Sequence, residues 1–438
     1  MMLQQACVGL FLDPGLGKTA IALAAFKLLK KAGYVKRMLV IAPLRPCYSV
    51  WPAEISKWAN FGDLRYCILH GPDRGDMLDL DADIFIMNVD NTRWLFEEQR
   101  WKRIHADVLC VDESTKFKNY AAKTRFQVIK RYLNEFKRRW ILSGTPAPNG
   151  LMDLFTQIYL LDQGAALGQF ITKFRITYFV QSYSGYDWFP MPDALSKITD
   201  KIAPLVIRLK AEDYVEMPDL QYINVEVELP SDAREAYRRM EDQFFLKVQE
   251  GEVVASNAAV AGGKCRQISN GRVYDIGRAV YDIHTAKLQA FEDLVEELSG
   301  QPALVLYEFK HDLEAMRTRV PGPSVGGDTS TKNAEEAIAA FNAGLVPVLY
   351  GHPASVGHGL NLQEAAHHVI FYCPTWDLEL HDQVIRRVYR QGQKAAKVLV
   401  YHIVAKDTLD TTVLEVLHSK DRTQKTLLEA FTNRASLC

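Results

Sequence analysis

The stretch VGLFLDPGLGKT, residues 8–19, decides the fold. It starts as a short apolar run, which predicts a buried strand, and it leads into an amphipathic stretch, residues 20–31, which predicts a helix. Gly15 and Gly17 lie between the two and let backbone N–H groups turn toward phosphate oxygens, while the helix N-terminus favours negative charge. This context predicts a phosphate-binding loop of the Walker type; the alternative is a plain glycine-rich turn.

The side chains of this loop have separate expected roles. We expect Lys18 to reach the β- and γ-phosphates of ATP and the hydroxyl of Thr19 to coordinate Mg²⁺. The other residues expected to contact the nucleotide are Pro14, Gly15, Leu16, Gly17 and Ala20. Leu12 stands where the strict pattern has glycine, so the loop has the shortened G-x-G-K-T form.

Short apolar runs separated by amphipathic stretches continue through the first half of the chain, and a second set recurs toward its end. The runs are RMLVIAP (37–43), ADIFIMN (82–88), ADVLCVDE (106–113) and RWILSGT (139–145), then ALVLYEF (303–309), VPVLYGH (346–352), HHVIFY (367–372) and KVLVYHIV (397–404). This rhythm predicts two α/β halves with parallel sheets. Between them, residues 151–282 are largely helical in periodicity, with a turn-rich aromatic stretch at 182–192 that predicts a small hairpin or loop.

Composition limits the class of protein. A chain of 438 residues that is 48% hydrophobic supplies two or three cores, which excludes a single small domain. It has no apolar run long enough for a membrane span and no basic signal-peptide start, so we expect an unprocessed cytoplasmic protein. The seven cysteines form no C-x-x-C pair, which argues against zinc and disulfides. Because the net charge is -1, nucleic-acid binding would require a local basic cleft.

Two consecutive carboxylates end the apolar run VLCVDEST, residues 108–115. At the tip of a strand, Asp112 is placed to hold Mg²⁺, and Glu113 is placed to orient and deprotonate an attacking water. Alone, the pair also fits a helix N-cap. After a Walker loop, the catalytic interpretation is favoured.

A third run ends in ILSGTPAPN, residues 141–149. We expect Ser143, Gly144 and Thr145 to couple the acidic box to a nucleic-acid cleft; the alternative is a simple turn.

Two arginines near the C-terminal end complete the candidate catalytic set. Arg387 and Arg390 are three residues apart, which predicts one helical face and suits stabilisation of charge on a transferred phosphoryl group. The alternative is a solvated basic face. Upstream, the stretch 354–363 places Gly359 and Asn361 in a loop expected to approach a nucleotide or a phosphate backbone closely.

Taken in order, the stretches GLGKT, APLRPCYSVW, DEST, LSGTP, GHGLNLQ and QVIRRVYRQGQ resemble motifs I, Ia, II, III, V and VI of superfamily-two helicases. The R-x-x-R-x-G-Q ending resembles the Swi/Snf branch, and the loop and acidic box look like those of compact phage-encoded members. The resemblance implies an α/β fold of two tandem RecA-like lobes. Lobe 1 would cover residues 1–205 with a helical insertion at 151–200, lobe 2 would cover 284–438, and 206–283 would be a helical inter-lobe region.

The resemblance also implies roles for individual residues. ATP and Mg²⁺ would bind in the cleft between the lobes, with Lys18, Asp112, Glu113, Arg387 and Arg390 as catalytic residues. Gln383 would join the coupling residues. The implied contacts to nucleic acid are Pro43, Arg45, Asn88, Phe309, Lys310 and Ser355. A monomer is expected, in the bacterial host cytoplasm if the gene is phage-encoded.

The chain departs from the family pattern at three places. Thr115 stands where motif II usually has His, and Arg386 stands where motif VI usually has Asp. Gln4 and Gln5 lie too close to Lys18 to act as the glutamine motif that recognises adenine, so weak adenine selectivity is expected.

Three functions follow from these motifs. The favoured one is an ATPase that translocates on duplex DNA without necessarily separating its strands. The second is a strand-separating DNA or RNA helicase. The third is a nucleic-acid-binding protein with a vestigial ATP site.

Overall fold

Two large parallel sheets organise the chain. The computed structural model describes residues 1–183, 187–214, 216–249, 255–275, 277–326, 329–357 and 360–435. The chain divides into a first unit, Met1–Val215 with Lys420–Cys438, and a second unit, Glu216–Ser419. Each unit contains one of the two sheets.

The first unit is built on a seven-stranded sheet and a small antiparallel hairpin. Its strands are β1 Cys7–Leu12, β2 Met38–Ala42, β3 Tyr66–Leu69, β4 Ile84–Asn88, β5 Val108–Asp112, β6 Arg138–Ser143, the hairpin strands β7 Phe179–Gln181 and β8 Trp188–Pro190, and β9 Val206–Leu209. Its helices are α1 Lys18–Lys31, α2 Leu44–Ser49, α3 Trp51–Lys57, α4 Thr92–Phe96, α5 Arg125–Ile129, α6 Leu154–Asp162, α7 Ile171–Tyr178 and α8 Ala194–Ile202. The sheet order is β3-β4-β2-β5-β6-β1-β9.

Both faces of this sheet are buried, which explains the unbroken apolar runs. Along β4, Ile84 and Ile86 pack in the core on one face, whereas Phe85 and Met87 pack in the core on the other. Strand side chains alternate between the two faces, so a strand that is covered on both faces is apolar at successive positions. Helices must therefore lie on both faces.

All neighbouring strands of this sheet run parallel, so their carboxyl ends meet at one edge. Ala42 pairs with Asn88, Asp112 with Leu142, and Phe11 with Ser143. The loops that follow β1, β2, β4, β5 and β6 consequently leave from the same edge. Open parallel sheets bind their ligands at this edge.

The second unit has its own six-stranded parallel sheet, in the order β10-β17-β16-β13-β15-β14. The strands of this unit are β10 Asp219–Val227, β11 Arg272–Tyr274, β12 Val280–Asp282, β13 Ala303–Leu306, β14 Ser324–Val325, β15 Val348–Gly351, β16 His368–Phe371 and β17 Lys397–Ala405. Strands β11 and β12 form a separate antiparallel pair outside the six-stranded sheet. Its helices are α9 Ser231–Gln249, α10 Ala255–Asn270, α11 Ala286–Glu297, α12 Lys310–Arg319, α13 Thr331–Asn342, α14 Pro353–Val356, α15 Leu378–Ile385 and α16 Leu409–Ala435, whose residues from Lys420 onward belong to the first unit.

Two parallel sheets flanked by helices confirm the predicted fold class. The aromatic stretch forms the β7–β8 hairpin, with residues 184–186 outside the described part of the chain. Residues 206–283, interpreted from sequence as helical, also contain β9 of the first sheet and β10 of the second. Strand β10 was hard to recognise because it lies at a sheet edge and most of its residues are exposed or half-buried.

In the part of the chain that the structure describes, none of the helices combines the length and apolar content that a bilayer-spanning segment needs.

Candidate active site

The phosphate-binding loop joins β1 to α1 through two glycines in left-handed conformations. Gly15 has φ +90° and Gly17, the N-cap of α1, has φ +71°. A side chain at either position would meet open space or a distant contact, so backbone conformation rather than crowding requires glycine there. The loop therefore has the conformation that the sequence predicted for phosphate binding.

The ammonium of Lys18 lies against the backbone of its own loop. Its Nζ donates to the carbonyl oxygen of Leu12 at 2.8 Å and to that of Asp13 at 3.4 Å. Lys18 and Thr19 are the first two residues of α1. Both predicted side chains thus leave from the helix N-terminus, where a phosphate group is favoured.

A buried ion pair anchors the loop, and sequence analysis did not predict it. Arg208 Nη2 donates to Asp13 Oδ1 at 2.8 Å, and the other carboxylate oxygen accepts from the backbone N–H of Ala211 at 3.0 Å. Arg208 also donates to the carbonyl oxygens of Phe11 and Leu209, at 3.0 and 2.8 Å. The edge strand β9 therefore fixes the start of the phosphate loop from the neighbouring position in the sheet.

Asp112 ends β5 as a buried carboxylate with both oxygens engaged. Oδ2 accepts a hydrogen bond from Trp51 Nε1 at 3.0 Å, and Oδ1 accepts from the backbone N–H of Glu113 at 3.1 Å. Burial raises the pKa of Asp112, while the Trp51 bond and the charge of Lys18 lower it, with burial the largest effect. Trp51 is a second residue whose role sequence analysis did not predict.

Glu113 has a left-handed backbone, φ +50°, although it is not glycine. Such a conformation is uncommon outside glycine and is often found where function requires it. It turns the chain sharply at the end of β5.

Gln157 on α6 bridges the acidic box and the SGTP loop. Its Oε1 accepts from Ser114 Oγ at 2.7 Å, and its Nε2 donates to the carbonyl oxygens of Pro146 at 2.5 Å and Asp153 at 2.8 Å. Gln157 and Ser114 are both fully buried. This contact could not be predicted from the sequence, in which Gln157 is simply one polar residue of a helical stretch.

The SGTP loop approaches the phosphate loop closely. A Cβ on Gly144 would lie 3.2 Å from Pro14 Cδ and 3.4 Å from the Leu12 carbonyl oxygen. Ser143 and Thr145 are buried, and the Thr145 N–H donates to Ser143 Oγ at 3.1 Å. The structure thus brings the predicted coupling residues of the first unit beside the predicted nucleotide contacts.

The donor set at this edge fits Mg²⁺. Thr19 supplies a hydroxyl and Asp112 a carboxylate, both of which are hard oxygen ligands. Among the described residues, no cluster of three or more His, Cys, Asp or Glu side chains could hold a metal. A hydroxyl and a single carboxylate suit Mg²⁺, which usually takes one or two carboxylates and completes its shell with water and substrate phosphate oxygens.

Three of the predicted nucleic-acid contacts lie at the same edge of the sheet. Pro43 is the buried N-cap of α2, and Arg45 in α2 is half-buried, which lowers the pKa of its guanidinium. Asn88 ends β4, where its side chain accepts from the N–H of Asp90 at 3.3 Å. Strands β2 and β4 are neighbours in the sheet, so the segments that carry these three residues leave adjacent positions at its edge.

A groove of about 360 Å³ is lined in part by Asp90, which accepts a hydrogen bond from the Asn88 side chain, and by Lys116, which directly follows the acidic box. It is lined by Asp90, Arg93, Lys116, Phe117, Asn119, Lys123, Thr124, Arg125 and Phe126. Four of these side chains are cationic and one is anionic, in a chain whose net charge is -1. The net charge of the chain implies that nucleic-acid binding would need a local basic cleft, and cationic side chains outnumber anionic ones in this groove.

In the second unit the predicted arginines meet the motif V loop. Arg387 Nη2 donates to the Gly357 carbonyl oxygen at 2.7 Å, and Arg390 Nη1 donates to Asn361 Oδ1 at 2.5 Å. Burial lowers the pKa of Arg390. The prediction of a shared helical face was wrong, because α15 ends at Ile385 and the arginines lie in the turns that follow. Gly359 lies outside the described residues.

The remaining predicted residues of the second unit lie on separate elements. Phe309 is the N-cap of α12, its ring stacks on His311 at 5.3 Å, and Lys310 begins that helix. Ser355 lies in α14. Gln383 in α15 is buried, and its Nε2 donates to Glu379 Oε1 at 3.2 Å.

Comparison with known proteins identifies the family. The family described as SNF2-related domain matches residues 2–272, and the helicase conserved C-terminal domain matches residues 286–392. The chain belongs to the SNF2-related family and is a helicase-type ATPase motor of that family. The predicted Swi/Snf resemblance is confirmed.

Relatives of several kinds match nearly the whole chain. Protein p41 of Acyrthosiphon pisum secondary endosymbiont phage 1 is 36% identical over 95% of this chain and 93% of its own length, which confirms the phage-like character. The CHD3-type chromatin-remodeling factor PICKLE of Arabidopsis thaliana is 22% identical over 93% of this chain. The uncharacterized ATP-dependent helicase MG018 of Mycoplasma genitalium is 24% identical over 95% of it. The chain spans only 32% of PICKLE and 40% of MG018.

Among solved structures, the Sulfolobus solfataricus SWI2/SNF2 ATPase core in complex with dsDNA matches 100% of this chain and 92% of its own, with 23% identity and a TM-score of 0.44.

Proposed function

We propose that this protein is an ATP-driven translocase that acts on duplex DNA. One observation carries the proposal: the phosphate loop, the acidic box, the SGTP loop and the predicted nucleic-acid contacts of the first unit all leave the same edge of one sheet. In this proposal, nucleotide chemistry and a nucleic-acid surface would therefore be adjacent on one sheet. Relatives named as a chromatin-remodeling factor and as an ATP-dependent helicase support a motor on DNA.

Within the first unit, each proposed catalytic residue has a distinct task. Lys18 and the N–H groups of the loop bind the phosphates, and Thr19 and Asp112 hold Mg²⁺, which when bound neutralises phosphate charge. Glu113 orients the attacking water and accepts its proton. Trp51 keeps the Asp112 carboxylate oriented, and Arg208 keeps the loop in place.

The second unit contributes the arginines. We propose that Arg387 and Arg390 stabilise negative charge on the transferred phosphoryl group, a role for which planar guanidinium groups are suited. Their hydrogen bonds to Gly357 and Asn361 hold them beside the motif V loop.

The basic groove beside Asn88 is proposed to bind the DNA backbone. Lys116 and Lys123 would neutralise phosphates and release counterions, so binding should weaken as salt rises. The other two cations of the groove already pair with carboxylates, Arg125 with Asp90 and Arg93 with Glu97. Such contacts carry no sequence information. We therefore expect a motor that does not depend on DNA sequence.

Steady-state ATP hydrolysis tests this function. The rate is measured without nucleic acid and with duplex DNA, single-stranded DNA or RNA, and Glu113→Gln serves as the blank. Removing the general base should lower kcat by about 10²–10⁴ while ATP and DNA binding persist. Wild-type turnover in Glu113→Gln would contradict the assigned base.

The pattern of stimulation decides the substrate. Selective stimulation by duplex DNA supports the translocase. Stimulation only by single strands or RNA would favour the strand-separating helicase, which a fluorophore–quencher duplex then tests directly. Absence of turnover under every condition would indicate a vestigial site.

A further inference from the structure

Gln157 connects the two loops between which ATP hydrolysis and nucleic-acid binding would have to communicate. One end of its amide contacts Ser114, which directly follows the proposed base Glu113. The other end contacts the carbonyl oxygen of Pro146, which directly follows Thr145. The side chain is fully buried, so water does not compete for these bonds.

The chemistry of the contacts fixes the orientation of this amide. Nε2 faces two carbonyl oxygens, which only accept hydrogen bonds, and Oε1 faces a hydroxyl, which can donate. The flipped amide would point its oxygen at the carbonyls of Pro146 and Asp153. The Ser114 hydroxyl must therefore donate to Gln157, and both amide hydrogens are already used.

The same contacts restrict relative movement of the loops. Strands β5 and β6 are hydrogen-bonded neighbours up to the pair Asp112–Leu142, and beyond that point their chains separate. Gln157 joins them again after the sheet ends. If either loop shifted alone, a buried hydroxyl, amide or carbonyl would lose its partner, and such loss is unfavourable.

We propose that Gln157 is a positioning residue that makes the acidic box and the SGTP loop move as one body, and so transmits DNA binding to Glu113. This inference rests on the proposed function. It assigns to a side chain of α6 a share of the coupling that sequence analysis gave to Ser143, Gly144 and Thr145. Gln157 does not contact substrate in this role and acts through Ser114 and Pro146.

Two variants remove hydrogen bonds of the Gln157 amide. Gln157→Met keeps the length of the side chain and removes its polar atoms, and Ser114→Ala removes only the hydroxyl. In the full chain, each should lower the kcat of DNA-stimulated hydrolysis by about tenfold, because small displacements of a catalytic group are costly. The KM for ATP should change by less than about twofold, because the phosphate loop is untouched.

The neighbouring residue Thr156 provides a matched control. It is also buried on α6, and its hydroxyl has no hydrogen-bond partner among the described residues. Thr156→Val should retain the stimulated kcat of the wild type. Thermal unfolding of every variant is measured in parallel, and if Gln157→Met does not fold, the smaller Ser114→Ala variant carries the test.

A double-mutant cycle separates positioning from general destabilisation. If the bridge acts as one unit, Ser114→Ala combined with Gln157→Met should be no slower than the slower single variant. Additive losses, or stimulated rates within about twofold of wild type in both single variants, would overturn the proposal. A wild type that duplex DNA does not stimulate would instead contradict the proposed function, so the two failures are distinguishable.

Discussion

Trp51 donates a hydrogen bond from its indole N–H to Oδ2 of Asp112, 3.0 Å away, and both side chains are buried. Trp51 begins α3, directly after the segment that carries Arg45. The bond therefore joins a proposed nucleic-acid segment to the proposed metal ligand. It also holds one carboxylate oxygen in a fixed direction, which leaves the remaining lone pairs oriented for Mg²⁺.

Replacing Trp51 with Phe should weaken Mg²⁺ binding while leaving the aromatic packing nearly intact. Loss of a hydrogen bond to a metal ligand typically costs about 10–100-fold in metal affinity. The Mg²⁺ concentration that gives half-maximal ATPase rate should rise accordingly. Trp58→Phe is the control, because its indole N–H donates to the half-buried Glu54 and not to a proposed metal ligand. Equal Mg²⁺ requirements in both variants would show that Trp51 does not support the metal site.

Replacing Arg208 with Met should destabilise the first unit. The change removes the guanidinium that pairs with the buried Asp13 carboxylate, and breaking a buried ion pair in this way costs about 3–5 kcal/mol. Denaturant unfolding measures the loss. Adding Asp13→Asn to Arg208→Met should restore part of the stability, since the uncompensated charge is gone. Arg103→Met, which breaks an exposed pair with Asp79, should stay close to wild type.

Replacing Arg390 with Ala should lower kcat much more than it weakens ATP binding. An arginine needed mainly in the transition state contributes roughly 10³-fold or more to the rate. Turnover and equilibrium binding of a non-hydrolysable ATP analogue are compared in the variant. Lys394→Ala, a change to an exposed cation nearby, should have little effect. A loss confined to affinity would make Arg390 a ground-state ligand.

Removing a cation from the basic groove should reduce the salt dependence of DNA binding. Lys123→Ala should lower the slope of log affinity against log salt by about 1, with similar loss for every duplex sequence. Fluorescence anisotropy at several salt concentrations measures the slope. Lys31→Ala is the control, because Lys31 ends α1 and that helix leads away from the ligand-binding edge of the sheet. An unchanged slope for Lys123→Ala would place the DNA elsewhere.

The local features of this protein could be predicted from sequence, whereas the contacts between distant segments could not. Apolar runs indicated the central strands of both sheets, since buried parallel strands have no alternating polar positions. Gly15, Gly17 and Lys18 predicted the phosphate loop because they lie between an apolar run and an amphipathic stretch. Arg208 and Gln157 gave no such signal, because their partners depend on the order of the strands. That order is set by packing over the whole unit.

The placement of β1 has a consequence for how the protein is made. This strand carries the phosphate loop, yet Cys7 pairs with Arg139 and Gly9 pairs with Val206. At ribosomal speeds the N-terminal strand waits roughly ten seconds for even its first sheet partner to be synthesised. During that wait its apolar residues have no sheet to join, and such segments tend to aggregate. Strand β1 is thus made before both of its partners, and its place in the sheet exists only once β6 and β9 have been synthesised.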